Sequence, residues 1–431
     1  MSNNSFSQEN GLKLLFRAFR YRNYSLFFAG QSISLIGIWM QGIAMSWLVY
    51  RLTNSALLLG LVGFAGQIPT LLFGFIAGVL VDRYSRHHIL IVTQILSMIQ
   101  ALMLAFLVLT GNIQIWQIIG LCIFIGLVNA FDMPARQAFT VELVEKKEDL
   151  GNAIALNSSM FNLARLVGPS IAGVLIVYSG EGICFFINAI TYLGVIASLF
   201  MLKIKPKETK IETSHIGQEM KEGFNYVFGF APIKCIILLL GLMSLIGMSY
   251  VVLMPIFAKD ILQGGPQTLG FLMAASGIGA LLGGIYLASR KSVLGLKKII
   301  PLSTTIFGLG IIAFSQSKVL WLSLILMLVS GFGMMLQMAS ANTIIQTIVD
   351  DDKRGRVMAV YTIAFMGMLP FGSLLAGGLG SKIGASNTLL ISGVSCILGA
   401  FFFARKLPLM KEMVQPIYVR MGIIPEYTQI N

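Results

Sequence analysis

Arg165 stands in NLARLVGPSIAGVLI (162–176), a run otherwise made of apolar and small residues with few polar ones. It falls near the middle of an apolar segment, 153–178, long enough to cross a bilayer. A permanent cation at that depth costs several kcal/mol unless it faces a cavity or a partner, which makes it a functional candidate. At helical spacing it shares a face with Ser158, Asn162, Gly168 and Ala172, a polar and small-residue stripe suited to line a central cavity. The chain has 18 acids, and none lies deep in an apolar segment. Asp132 comes nearest, at the end of segment 114–134, where Arg136 one turn on is a ready partner. Neutral candidates to meet Arg165 are Gln31, Gln41, Gln67, Asn129, Gln337 and Asn342. Without a resident carboxylate, the guanidinium is available to an anionic group on a substrate. The competing reading is a strut that snorkels or binds carbonyls and glutamines. Asp132 is the one acid placed to titrate within a pathway, as proton coupling requires. Trp39, Trp47, Phe64, Tyr250, Met334, Met335, Tyr361 and Phe365 suit an adaptable amphipathic pocket, and each is equally suited to packing or lipid contact.

Other chemistries find little support. His87, His88 and His215 all fall in polar loops, and no nucleophile–base–acid set stands out. Cys122, Cys184, Cys235 and Cys396 lie in or beside apolar runs with no CxxC pairing, and read as small buried residues. No Gly-x-x-x-x-Gly-Lys-Ser/Thr run is present, so ATP is not expected to drive this chain. We expect no enzyme activity, no resident cofactor and no metal.

The elements that position Arg165 follow from composition. The chain has 431 residues, 56% hydrophobic and 11% charged, where a soluble domain carries about 25% charged. It reads as an all-α polytopic membrane protein. Twelve segments are long and apolar enough to span, at about 24–50, 56–81, 89–110, 114–134, 153–178, 182–202, 233–257, 267–289, 297–315, 319–345, 357–380 and 385–404. Lys and Arg crowd one side: Arg17, Arg20 and Arg22 before the first span, Arg83 and Arg86 between spans 2 and 3, and Lys203 through Lys234 between spans 6 and 7. The opposite side has only Arg51, Lys259, Lys318 and Lys382. The positive-inside rule then places both termini in the cytoplasm. The net charge of +13 is accounted for by orientation, and a nucleic-acid partner is not expected. The stretch GLKLLFRAFRYR lacks a cleavable apolar core and is expected to lie on the membrane surface as an amphipathic lead-in.

The 6–7 connection is the one long polar segment between spans. It divides the chain into a lead-in (1–23), a six-helix half (24–202), a linker (203–232), a second six-helix half (233–404) and a tail (405–431). Laid over each other, 155–176 and 359–380 match Phe161 with Phe365, Gly168 with Gly372 and Gly173 with Gly377. Laid over 270–284, 60–74 matches Gly60 with Gly270 and Gly74 with Gly284. The repeat is weak but falls in corresponding spans, 5 with 11 and 2 with 8. Two related halves around a midplane site is a common build for secondary transporters.

The stretch GVLVDRYSRHH (78–88) resembles the 2–3 loop signature of the major facilitator superfamily, with Gly78, Asp82, Arg83 and Arg86 in matching positions. Ser85 stands where that signature has its second glycine. The resemblance implies the fold of that superfamily, two pseudo-symmetric six-helix halves, and a conformational latch in this loop. Gly78 is expected to permit a close helix crossing and Asp82 to suit a neighbouring helix N-terminus. The corresponding 8–9 loop, LASRKSVLGLKK, keeps the basic charge and loses the acid. GPSIAG (168–173) is similar to the family's span-5 signature of exporters through Gly168, Pro169 and Gly173, with Ala172 replacing a usual glycine. Together with FDMPARQAF (131–139) after span 4, it looks like the branch containing enterobactin exporters and macrolide efflux pumps.

The resemblance and the lone Arg165 point to export of a small amphipathic molecule, siderophore-like or drug-like, by alternating access. Protons are the expected coupling ion, and Arg165, Asn162, Asp132, Gln31, Gln41 and Asn129 the expected substrate or coupling residues. The protein is expected to be a monomer in the cytoplasmic (inner) membrane. The same architecture would also serve an importer of a metal chelate or nutrient, or a lipid flippase.

Overall fold

The computed structural model describes residues 16–203, 216–290 and 292–425. Lys13, Lys205, Lys207, Lys210, His215 and Lys291 lie outside the described residues, with most of the expected lead-in and part of the linker. Among the described residues every regular element is helical. In lipid, each backbone N–H and C=O must be satisfied internally, and a helix does this with no partner strand. Among the described residues eleven helices are long and apolar enough to cross. One of them, Lys147–Met201, is 55 residues long and contains Gly180 at φ 76°, ψ 172°. That backbone is open to glycine and strained for other residues. It separates spans 5 and 6, so twelve crossing segments result. The others are span 1 (Arg22–Thr53), span 2 (Ala56–Arg83), span 3 (Arg86–Leu109), span 4 (Ile115–Glu142), span 7 (Ala231–Ile261), span 8 (Pro266–Ala288), span 9 (Leu296–Gln316), span 10 (Leu320–Ile348), span 11 (Arg354–Ile383) and span 12 (Ala385–Arg405).

Helices outrun the apolar stretches that signalled them. Span 4 continues through Pro134 to Glu142, so the run 131–139 is helical where a post-span segment was expected. Apolar patterning reports where the lipid is, whereas the hydrogen-bond ladder continues as long as packing supports it. Here Ala135 and Phe139 are buried, and the Phe139 ring meets Phe27 and His87 at 5.4 and 6.0 Å.

The chain forms two compact units. One holds spans 1 and 3–6, most of span 2, and the first residues of span 8, Gly265–Ala274. The other holds spans 7 and 9–12, most of span 8, and the first residues of span 2, Thr53–Phe64. In the first unit Gly173 of span 5 lies against span 8: a Cβ on it would come 3.0 Å from the Gln267 Cα and 3.2 Å from the Gly270 Cα. In the second, a Cβ on Gly60 of span 2 would come 2.8 Å from the Gly377 Cα of span 11. The repeat pairs Gly173 with Gly377 and Gly60 with Gly270. Equivalent glycines therefore build an equivalent backbone-to-backbone crossing in each unit, as small residues do in membranes.

The start of the described chain is docked on span 5. Arg17 pairs with Asp149 at 3.0 Å, and the Ala18 N–H donates to Asn152 Oδ1 at 3.0 Å. The Tyr21 hydroxyl donates to Asp149 Oδ2 at 2.7 Å, and Tyr24 donates to the Ala153 carbonyl and Asn157 Oδ1. Asp149 is buried at the N-terminus of span 5, where a helix favours an anion and burial demands partners. In the other unit the helix Leu407–Arg420 buries Met410, Val414 and Tyr418 in a cluster with Val227, Ile233 and Val357.

Candidate functional site

Gly168 fixes the surroundings of Arg165. A Cβ at Gly168 would come 2.5 Å from the Trp39 Cβ and 2.9 Å from the Ile36 carbonyl oxygen, so spans 1 and 5 touch at backbone distance there. Pro169, also buried, follows it. One turn back, the half-buried Arg165 puts its guanidinium 5.9 Å from the centre of the Trp39 ring. Phe161, another turn back, meets the same ring edge-to-face at 5.6 Å and is 47% exposed. Asn162 donates to the Ser158 carbonyl at 2.8 Å. Among the described residues no carboxylate pairs with Arg165. A cation–π contact contributes about 0.5–2 kcal/mol, and no hydrogen bond occupies the guanidinium N–H donors among the described residues. This is a cation with an aromatic wall, a suitable partner for a molecule that is both anionic and apolar.

Asp132 is 2% exposed. It accepts from Thr93 Oγ1 at 2.9 Å and Gln94 Nε2 at 2.7 Å, both on span 3, and pairs with Arg136. The partner matches expectation, but the place does not: span 4 runs on to Glu142, so the pair lies inside the span 3–span 4 contact and not at a helix end. Thr93 and Gln94 carried no signal of this role in the sequence. Asn129, one turn before Asp132, is half-buried and its side chain has no hydrogen bond among the described residues.

Gln41 is tied into the frame. Its Nε2 donates to Gln100 Oε1 at 3.1 Å, and its Oε1 accepts from Asn188 at 2.7 Å, joining spans 1, 3 and 6. Gln31 is 2% exposed, with its Nε2 unpartnered. No hydrogen bond links Arg165 to Gln31, Gln41 or Asn129 among the described residues.

The 2–3 loop forms a charge chain. Arg86 pairs with Asp82 at 3.0 Å and with Glu142 at 2.9 Å, tying spans 2, 3 and 4. Asp82 therefore meets Arg86, the first residue of span 3. Arg83 is exposed. Gly78 is a correction: a Cβ there meets nothing within 4 Å, so no close crossing uses it in this structure. Close approach comes instead from Gly168 and Gly173 in span 5. Two acids of unit-binding pairs escaped notice in the sequence, Glu142 and Glu181. Glu181 is buried beside the Gly180 turn and takes Arg51 in a fork at 2.7 and 3.2 Å. Both sit at helix ends, outside the apolar patterning that located the spans.

The chain was compared with known proteins. The model of the Transmembrane secretion effector family matches residues 15–420. A staphyloferrin A transporter of Staphylococcus aureus is 28% identical over 391 residues, covering 90% of this chain and 97% of the relative. Macrolide efflux protein A of Streptococcus pyogenes is 25% identical, covering 88% and 95%. The multidrug efflux pump Tap of Mycolicibacterium fortuitum is 25% identical, covering 83% and 88%. Among solved structures, a bacterial homologue of the human lysosomal transporter Spinster superposes with TM-score 0.70 at 14% identity, covering 89% of this chain and 96% of that one. The nucleoside transporter NupG gives 0.66 at 15%, covering 88% and 99%. The fold is thus that of the major facilitator transporters, and the chain belongs to the Transmembrane secretion effector family, a multi-pass membrane transporter and not an enzyme.

Proposed function

We propose that this transporter exports a small amphipathic molecule carrying carboxylates, of the siderophore type, by alternating access in exchange for protons. The observation that carries the reading is Arg165: a half-buried cation within a span, with an aromatic wall and no carboxylate partner among the described residues. A fixed, unneutralised charge at that depth is favourable when an anion visits it, and the Trp39–Phe161 pair offers apolar area to the rest of such a molecule. The name of the S. aureus relative, a staphyloferrin A transporter, supports the same substrate class. Proton exchange is assigned to Asp132, and the lipid bilayer and the substrate are the partners this requires. The cytoplasmic membrane, with both termini inside, is the location that the charge count supports.

The test is uptake into inside-out vesicles under an imposed pH gradient, with labelled carboxylate chelators and lipophilic cations as probes. Wild type is expected to accumulate the chelators, and Arg165→Ala to lose this while remaining folded. Accumulation of the cations by both proteins would remove Arg165 from the substrate site and favour a drug pump.

A further inference from the structure

Several basic groups on the Lys/Arg-rich side of this molecule pair with an acid. Arg86 has Glu142, Arg356 has Glu222 at 2.8 Å, and Arg420 has Asp350 at 3.0 Å. One group differs. Between the turn from span 8 to span 9 and the helix Leu407–Arg420 lies a small cavity, about 90 Å3, lined by Gly295, Lys297, Lys411, Gln415 and Tyr418 among others. Lys297 is half-buried, and the charges acting on it come from Lys411 and Lys298, both cations. No acid pairs with Lys297, Lys298, Lys411 or Arg290 among the described residues. Glu412, next to Lys411, is exposed and forms no ion pair there; neighbours in a helix do not share a face.

The turn itself is built by a further cation. Arg290 donates to the Leu294 carbonyl at 2.9 Å, and its Nε is buried without a partner. Gly295, at φ 87°, caps span 9, so the cavity also meets the first turn of a 21-residue helix, whose aligned peptide dipoles add partial positive charge. The positive-inside rule accounts for basic residues on this side. It does not account for two lysines from separate elements lining one cavity with nothing to neutralise them. Like charges so placed repel unless an anion sits between them, and a cavity of this size takes a tetrahedral oxyanion and a few waters.

We propose that this cavity binds a phosphate group, held by Lys297 and Lys411 against the first turn of span 9. The same chemistry fits a soluble phosphate and the headgroup of an anionic phospholipid.

Thermal unfolding tells these apart. The first arm is the delipidated protein in detergent, titrated with inorganic phosphate at constant ionic strength. The second is the protein in nanodiscs of phosphatidylcholine with and without phosphatidylglycerol. The wild type is expected to gain stability in at least one arm. The double variant Lys297→Gln, Lys411→Gln is expected to need about tenfold more ligand or lose the gain, whereas Lys382→Gln, which removes an exposed charge elsewhere, behaves as wild type. A response to phosphate identifies a soluble ligand, and a response to phosphatidylglycerol alone identifies a headgroup. If the double variant does not fold, Lys411→Gln, on the exposed side of the terminal helix, is read the same way. A wild type that responds in neither arm, or a double variant that responds fully, overturns the site.

Discussion

Arg165 and Gln41 are both polar groups within apolar spans, and the sequence makes both candidates for ligand contact. Their surroundings separate them. Gln41 has both ends of its amide engaged, with Gln100 on one side and Asn188 on the other. Replacing it by Ala leaves two buried amides short of a partner, at a cost of about 1–3 kcal/mol for each group. Arg165 has one weak contact, of about 0.5–2 kcal/mol, and its removal also relieves a poorly solvated charge. Arg165→Ala is therefore expected to stay within about 1 kcal/mol of wild type, with Gln41→Ala clearly lower. Unfolding midpoints of the two purified variants decide the matter, and an Arg165→Ala that proves the less stable would make Arg165 a strut. The distinction was not legible beforehand, because Gln100 and Asn188 lie 59 and 147 positions from Gln41 and helical spacing reports only neighbours on one helix.

Span 5 is where residue spacing becomes helix packing. Gly168 meets span 1 and Gly173 meets span 8 at distances that leave no room for a side chain. Gly168→Val is expected to force the two backbones apart and destabilise the protein by about 1–3 kcal/mol, the usual range for overpacking. Gly78 offers the opposite case. A Cβ there has open space, so Gly78→Val is expected to change stability by no more than about 0.5 kcal/mol. If the 2–3 loop is a latch, Gly78 must pack closely in another conformation. The variant then folds normally but transports slowly, and a wild-type transport rate would exclude Gly78 from the latch. The small-residue stripe of span 5 was legible from sequence because its chemistry is local. Which glycines meet a backbone depends on partners such as Trp39 and Gln267, and that was not.

At the scale of the whole molecule, spans and repeat were legible because the bilayer imposes length and polarity on every segment alike. The glycine crossings show the repeat carried into three dimensions, Gly173 with Gly270 in one unit and Gly60 with Gly377 in the other. The proposed energy source was less legible, since the acid nominated for it is held by three donors, Thr93, Gln94 and Arg136, gathered from spans 3 and 4. If Asp132 exchanges the proton, each pH unit of gradient is worth about 1.4 kcal/mol, or about tenfold accumulation per proton. Asp132→Asn removes this drive and leaves downhill movement of substrate intact. It also leaves the Arg136 cation, which is 22% exposed, without its counter-charge. Breaking a buried pair costs about 3–5 kcal/mol, and this partly solvated one is expected to fall toward the lower end. The double variant Asp132→Asn, Arg136→Gln removes both charges, so it is expected to regain much of that stability without regaining coupling. Vesicle measurements on both variants then separate fold from drive. Equal substrate concentrations inside and out, in a well-folded double variant under a pH gradient, would make Asp132 the coupling group, and gradient-driven accumulation that survives in it would assign the proton to another residue.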